Sequence, residues 1–450
     1  MKKIITYIIC WACCVSAVKA QRSYSLEQLK DSALQNNYAI RSAQSGIAAS
    51  EEQRKEAFTK YFANISATGA WFNANKGMAK MDMNPSEMIP ESLLPMLQTL
   101  PVEVLASLNS PVSMSMMKNG TVAGVNAIQP VFAGGQIVNG NKLAKVGEQV
   151  SRLQLQLAEN EVEKTTAQYY WQMVSLQEKM KTIAAVQALL NDIFKDVDVA
   201  VKAGVAMRND LLQVQLRQND VESQKLKLKN GLSLVKLLLA QHCGLRDTSF
   251  TVAPVASFAQ QLPPALPTES DKQSSLQRLS EYQLLGKKVE AASLNKKMAI
   301  GQNLPSLAVG AGYNYHNMLD NNRSFAMVFA TVSVPISDWW GGSHAVKRKK
   351  IEYLNALDEQ QDKSELLTIR MQKAWNDVSE SYTQLSLAER SIQQAEENLR
   401  LNRNYYQSGV SRMSDLLEAQ LLYQQALDKH VDAYADYQNR LLDYQQATGQ

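Results

Sequence analysis

The chain has 450 residues, 45% of them hydrophobic and 20% charged, with a formal net charge of +4. This near balance, without a basic stripe, argues against a nucleic-acid-binding protein. The four histidines have no partners at metal-ligand spacing, and the sequence has neither a glycine-rich phosphate loop nor a nucleophile elbow. We therefore expect no catalytic site, metal site or cofactor.

Residues 1–20 predict an export signal peptide. Lys2 and Lys3 precede an apolar run, and Val18-Lys19-Ala20 has the small residues of a cleavage site. The segment holds three of the four cysteines, without the context of a lipid-attachment site, so we do not expect lipidation. Cys243 then remains alone, which excludes an intramolecular disulfide. No later run is apolar enough for a membrane-spanning helix, so a membrane crossing would require a closed barrel.

The first structural repeat is predicted to span residues 21–245. It opens at the capping box Ser25-Leu26-Glu27-Gln28. Its predicted elements are, in chain order, a helix to about residue 61, strands at about 64–72 and 121–131 with the long loop 73–120 between them, a long helix from about 137 to 203, a tight tip at about 204–212 and a helix that stops at Gly244.

A Pro-rich linker, 246–269, joins this repeat to the second one, which is predicted at 270–450. The same order of elements is expected there. They are a helix from about 270 to 301, strands at about 305–315 and 324–334, a long helix, a tip at about 409–418 and a helix that stops at Gly449.

The evidence for duplication is a local resemblance at a constant offset. The segment from Gly204 to Leu212 resembles the segment from Gly409 to Leu417, 205 positions later, and the same offset relates Gly244 to Gly449. Pro130 and Pro335 each end a strand-like run before a Gly-Gly pair. Matches so far apart along the chain indicate two copies of one unit.

The strand segments alternate in the way expected of a wall between lipid and water. Leu307, Val309, Ala311, Tyr313 and Tyr315 fall on one face, and small or polar residues fall on the other. Trp71, Trp339 and Trp340 lie near strand ends, as in an interfacial aromatic belt. An ordinary antiparallel sheet in a soluble domain is the alternative.

The long helices carry apolar residues at steps of three and four, typical of coiled-coil packing. One such series runs from Leu176 to Ala200, with Lys179 as its one polar misfit, and another runs from Met371 to Leu399. A tunnel wall and a dimeric rod would both use such helices, so the pattern leaves a hollow interior undecided.

This layout resembles the TolC-like outer-membrane efflux family over essentially the whole mature chain. The residues that carry the resemblance are Leu26-Glu27-Gln28 to Asn36-Asn37, Leu304-Pro305-Ser306-Leu307 with Gly310-x-Gly312-Tyr313, Pro335-Ile336 with Gly341-Gly342, and Gly409-Val410 through Asp415-Leu416-Leu417, Ala419 and Tyr423. The resemblance implies a mixed α and transmembrane β fold. Three chains would form a twelve-stranded β-barrel continued by a periplasmic α-helical barrel.

The resemblance also implies a function, partners and a location. The chain would be the outer-membrane channel of a tripartite efflux or type I secretion system: a passive, trimeric exit duct that works with a periplasmic adaptor and an inner-membrane pump. A periplasmic adaptor and a secreted structural coiled coil are the alternatives. An adaptor usually carries one helical hairpin, whereas this sequence predicts two.

The two tips are the predicted site. Residues implied to contact the adaptor are Gly204, Val205, Asp210, Leu211, Leu212, Gly409, Val410, Leu416 and Leu417. Asp415 and Glu418 match the spacing of the acidic residues that narrow the pore in relatives, so a trimer would place six carboxylates near one axis. Alternatively, Asp415 only stabilises the first turn of the returning helix.

The loop 73–120 departs from the family pattern because it is far longer than its counterpart at about 316–323. It contains eight of the 17 methionines. A soft thioether site for Cu(I) is one interpretation. The other, which we favour because the loop has neither His nor Cys, is a flexible apolar loop at the barrel mouth.

Overall fold

The computed structural model describes residues 23–90, 101, 104, 108, 110–253, 266–317, 322–336 and 338–450. The predicted signal peptide, its three cysteines and the middle of the Pro-rich linker lie outside these residues. The chain divides into two compact units. The first comprises residues up to Ser50, Glu148–Val289 and Ala356–Gln450, and the second comprises Glu51–Gly147 and Glu290–Asn355.

The elements follow the predicted order in both halves of the chain, except that each predicted opening helix is divided in two, at Asn37 and at Leu279. Those of the first half are β1 (Ser23–Tyr24), α1 (Leu26–Asn36), α2 (Tyr38–Thr59), β2 (Asn64–Asn73), β3 (Ala79–Met83), β4 (Val112–Met116), β5 (Asn119–Ala133), α3 (Gln136–Lys202) and α4 (Arg208–Cys243). Those of the second half are β6 (Thr251–Val252), α5 (Lys272–Arg278), α6 (Ser280–Gln302), β7 (Ser306–His316), β8 (Arg323–Ser333), α7 (Asp338–Gln407) and α8 (Met413–Thr448).

The opening helix begins as predicted but is divided in two. The Gln28 backbone N–H donates to Ser25 Oγ at 3.3 Å, and the Ser25 N–H donates to Gln28 Oε1 at 3.0 Å, which completes the capping box. The helix then breaks at Asn37, whose backbone is extended. The Asn37 side chain accepts from the Ala39 N–H at 2.8 Å and so caps α2. The uninterrupted helix to residue 61 was therefore a wrong prediction.

Long helices dominate the first unit. α3 and α7 have 67 and 70 residues and belong to this unit from Glu148 and from Ala356 onward, whereas the two returning helices, α4 and α8, have 36 residues each and lie wholly within it. Both returning helices end at a left-handed glycine, Gly244 and Gly449, each with φ +66°. A side chain at such a position is strained, whereas glycine adopts it freely. The predicted ends of these two helices, at Gly244 and Gly449, are confirmed.

Among the described residues, the core of the first unit consists of three apolar clusters along these helices. Its largest buried side chains include Trp171, Met173, Leu239 and Tyr437, with Leu29 of α1 packed against them. Lys179, the misfit in the apolar series of α3, forms an ion pair with Asp432 of α8 at 2.7 Å. Its charge is therefore compensated by a helix from the other repeat.

The second unit contains a four-stranded antiparallel sheet in the order β2-β5-β7-β8. The two repeats meet at its centre, where β5 pairs with β7. The predicted strand boundaries agree with those observed to within two residues. Pro130 does not end its strand, however: the register shifts between Pro130 and Phe132, and β5 continues to Ala133. A bulge of this kind tolerates a residue that cannot donate to the ladder.

The glycines on β7 make room for larger residues of the neighbouring strand. Gly310 pairs with Phe329, and Gly312 pairs with Met327. A Cβ at Gly310 would run into the Phe329 ring. The face predicted from β7 alone to be small or polar thus also carries large side chains from β8.

Two glycine backbones make a close contact where the strands join the helices. Gly134, with φ +58°, lies in the turn from β5 to α3, and Gly301 lies in the last turn of α6. A Cβ on either residue would overlap the carbonyl group of the other. Gly341 and Gly342, by contrast, lie inside α7 and form no turn.

The long loop 73–120 is not a structureless connection in its described part. β3 and β4 pair as an antiparallel hairpin, with Met81 opposite Met114 in register. The return to β5 passes through Met117, a non-glycine residue with φ +62°. Met78 and Met88 are largely exposed. The described part of the loop therefore contains a β-hairpin that the sequence did not predict.

Candidate functional site

The two predicted tips are turns of the same construction. In the first, Gly204 adopts φ +75°, and the Val205 N–H donates to the Ala200 carbonyl at 2.9 Å. In the second, Gly409 adopts φ +73°, and the Val410 N–H donates to the Tyr405 carbonyl at 2.8 Å. This is a helix-ending motif in which a left-handed glycine lets the next N–H satisfy an otherwise unpaired carbonyl. Both glycines therefore have the positive φ that this type of turn requires.

The returning helices also begin alike, each with an aspartate in its first turn. Asp210 Oδ2 accepts from the Met207 N–H at 3.3 Å, and Asp415 Oδ2 accepts from the Arg412 N–H at 3.1 Å. A carboxylate there is further stabilised by the positive end of the helix dipole. The simpler interpretation of Asp415, a first-turn acid, therefore has direct geometric support, and a second role would be added to it.

Exposure divides the predicted tip residues into two groups. Val205 and Val410 are 79% and 77% exposed, and Leu212 is 47% exposed. Leu416 is only 2% exposed. Asp415 and Glu418 are exposed on the same helix. The valines after the turning glycines are therefore accessible to a partner protein, whereas Leu416 faces the interior of this chain.

Leu416 belongs to an apolar cluster through which the two tips pack against each other. Residues of four helices contribute to it: the buried members are Ile193, Val197, Val214, Met413 and Leu416, with Leu211, Leu399, Tyr406 and Leu417 packed against them. Burial, and secondarily the nearby Asp210 carboxylate, raises the pKa of the Tyr406 hydroxyl. The hairpin of one repeat is thus packed directly on that of the other at the tips.

A polar network follows the apolar cluster along α8, and sequence patterns did not predict it. Arg217 of α4 donates to Gln420 at 3.0 Å and to Gln424 at 2.8 Å, and Gln424 donates to Gln224 at 2.8 Å. Gln420 and Gln424 are buried. Burial lowers the pKa of the Arg217 guanidinium, which is held by neutral amides. The spacing of four between Gln420 and Gln424 on α8 is the sequence pattern from which this network could have been predicted.

The same face of α8 continues with acidic residues. Asp432 accepts from Ser175 Oγ at 2.9 Å and pairs with Lys179. Burial raises the pKa of Asp428, although the nearby Lys179 charge acts in the opposite direction. One side-chain oxygen of Asp428 is buried without a hydrogen-bond partner among the described residues. The contact between the two repeats is therefore polar over several turns.

Two features are absent from the described part of the chain. No cluster of three or more His, Cys, Asp or Glu side chains there has the arrangement of a metal site. Within the same residues, no helix combines the length and apolar character needed to cross a membrane.

The second half of the chain matches a known protein family. Residues 275–450 match the family described as outer membrane efflux protein. No curated protein matches the chain in sequence.

Solved structures of low sequence identity share the fold over nearly the whole chain. The outer membrane protein VceC of Vibrio cholerae is 15% identical, with a TM-score of 0.72 over 94% of this chain and 96% of its own. The CmeC outer membrane channel of Campylobacter jejuni is 16% identical, with a TM-score of 0.75 over 94% and 85%. The open state of the MtrE outer membrane channel of Neisseria gonorrhoeae is 14% identical, with a TM-score of 0.72 over 94% and 88%. The predicted resemblance is confirmed.

Proposed function

Starting from this match to the outer membrane efflux proteins, we propose that the chain is the outer-membrane channel component of a tripartite efflux or type I secretion system. It acts as a passive exit duct, with its sheet in the outer membrane and its helices in the periplasm. The observation that carries the proposal is a four-stranded sheet with one exposed apolar face and two edges that no strand of the described residues pairs, joined to two long helical hairpins. Neither a single adaptor hairpin nor a coiled-coil rod accounts for such a sheet.

The exposed apolar face supports membrane insertion. Ile65 and Trp71 on β2, Val125 on β5, and Val328 and Val332 on β8 are between 51% and 85% exposed. Apolar surface of this extent is unfavourable in water and favourable in lipid. Strands of 10 and 11 residues are about 35 Å long and, tilted by about 45°, span a hydrocarbon layer of about 25 Å.

The two edges support assembly from several copies. β2 and β8 each pair on one side only within the described sheet. An open edge cannot remain unpaired in lipid, and joining β8 of one copy to β2 of the next leaves no edge once the ring closes. Three copies with four strands each would make a twelve-stranded barrel, a size known for this class.

The tips support a periplasmic contact and a gate. Val205 and Val410, exposed beside the turning glycines, would contact the adaptor, with Leu212 beside them. In a trimer Asp415 and Glu418 would form two rings of carboxylates close to the axis. Such rings favour the passage of cations, and their electrostatic interactions set the width of the resting pore. An inner-membrane pump would supply the energy, since the duct itself performs no chemistry.

The decisive experiment is the mass of the protein extracted in detergent from a separated outer-membrane fraction. A mass of three chains, with the protein absent from the soluble periplasm, is the expected result. A soluble monomer or dimer in the periplasm would refute the duct and would favour an adaptor or a rod.

A further inference from the structure

Positive charge is concentrated on the helix segments next to the sheet. The segments 51–60, 136–147, 290–302 and 338–355 together carry eleven Lys and Arg residues against six Asp and Glu. The connections at the opposite ends of the strands, 74–118 and 317–322, carry three against five. Because the chain as a whole is near neutrality, this difference is a property of one end of the sheet. We call the four basic segments the basic collar.

Much of the charge in the collar is available to a ligand. Six of its basic side chains are exposed and form no ion pair within the described part of the chain: Lys60, Lys142, Lys145, Lys297, Lys347 and Lys350. The acidic residue nearest the basic run of α7, Glu352, is already paired with Lys349 at 2.7 Å. The remaining lysines are therefore not neutralised by the protein itself.

Aromatic side chains lie where the collar segments adjoin the strands. Phe58 contacts Tyr61 and Phe62 edge to face at 5.7 and 5.5 Å, just before β2 begins. Phe62 is 59% exposed, and Trp340, in the first turn of α7, is 81% exposed. Exposed aromatic residues next to an apolar sheet face are typical of the boundary between hydrocarbon and headgroups. The collar thus begins where a membrane surface would lie.

The reach of the collar fits the headgroup layer. Lys142 is six residues into α3 and Lys347 is nine residues into α7, which places them about 9 and 14 Å beyond the helix starts. Long basic side chains extend several ångströms towards an interface while their stems lie on the protein. Basic clusters at this distance from a membrane attract anionic lipids.

We propose that the basic collar binds the phosphate groups of anionic phospholipids in the leaflet that faces the helices. The inference rests on the proposed function, since it requires the sheet to be inserted in a membrane. It adds a lipid class to that function: phosphatidylglycerol or a related anionic lipid, in preference to a zwitterionic one. The opposite ends of the strands, with their acidic excess, would show no such preference.

The test is lipid binding to the intact protein extracted in detergent, followed by native mass spectrometry. Phosphatidylglycerol and phosphatidylcholine with identical acyl chains are the two probes. We expect phosphatidylglycerol to bind more tightly, with a preference that falls between 0.05 and 0.5 M salt. Each basic residue near an anionic surface contributes about fivefold to binding, so the triple variant Lys347→Gln, Arg348→Gln, Lys350→Gln should weaken binding tenfold or more.

The matched control removes the same charge elsewhere, with Lys225→Gln, Lys227→Gln and Lys229→Gln on α4, and should bind as the wild type does. Equal binding of the two lipids, or an equal loss in both variants, would overturn the proposal. So would equally tight binding of soluble glycerol phosphate, which would indicate a small-anion site. Each of these failures in a protein that remains an outer-membrane oligomer refutes the lipid preference alone, whereas a soluble monomer refutes the proposed function as well.

Discussion

The close contact between Gly134 and Gly301 allows a stringent test of the packing where the strands join the helices. In Gly301→Ala the new methyl group would overlap the Gly134 carbonyl oxygen and lie 3.0 Å from the carbonyl carbon. Both atoms belong to the backbone, so no side-chain rotation relieves the overlap. The turn from β5 into α3 would have to move.

The expected cost follows from this geometry. Overpacking typically destabilises by about 1–3 kcal/mol, and a backbone obstacle places this site near the upper end of that range. Replacing glycine by alanine in a helix otherwise gains up to about 1 kcal/mol. We expect a net loss of about 2 kcal/mol for Gly301→Ala. Gly147→Ala, in α3, is the control because a Cβ there meets nothing within 4 Å, and it should stabilise by about 1 kcal/mol.

The assay is urea unfolding of both variants in the same detergent, followed by far-ultraviolet circular dichroism. The unfolding midpoint should fall for Gly301→Ala and rise for Gly147→Ala, relative to the wild type. A midpoint for Gly301→Ala at or above the wild-type value would show that the two backbones are not in contact, and the reasoning would fail.

Three further outcomes are expected. Val328→Lys, on the apolar face of β8, should lower outer-membrane insertion by about 2–4 kcal/mol, whereas Met327→Lys on the opposite face should insert normally, as measured by the membrane-bound fraction. Asp415→Asn combined with Glu418→Gln should raise the resting conductance in planar bilayers, and an unchanged conductance would remove their gate role. The pKa of Asp428 is raised in the folded protein, so folding takes up a proton, and the free energy of unfolding rises as pH falls from neutral towards the pKa that Asp428 has in the unfolded chain. Asp428→Asn should therefore stabilise the protein at pH 7 and abolish this pH dependence of the unfolding midpoint.

Local chemistry was the part of the fold that the sequence predicted best. Ser25 caps its helix, Gly204 and Gly409 adopt left-handed conformations, and Gly244 and Gly449 end theirs. Each of these features depends on a few neighbouring residues whose backbone preferences are strong. Because the two repeats are related by a constant offset, a feature recognised in one half also predicted its equivalent in the other half.

Features that depend on distant residues were not predictable in this way. Lys179 interrupts an apolar series in the sequence, and its partner Asp432 lies in the other repeat, so the ion pair could not be predicted from the neighbouring residues. Arg217 gave no sign of burial because its amide partners lie on α8. For the tips, the sequence found the turns, but only packing shows that Leu416 is buried while Val410 is exposed.

The edges of β2 and β8, each without a partner strand in the described part of the chain, have a genetic consequence. In the proposed trimer every copy must offer both edges to its neighbours, so one copy with a blocked edge prevents the ring from closing. If a blocked variant is produced in equal amount with the wild-type chain and mixes freely with it, only about one assembly in eight contains three intact copies. Edge mutations in this protein should therefore be dominant, whereas mutations that merely unfold the chain before assembly should be recessive.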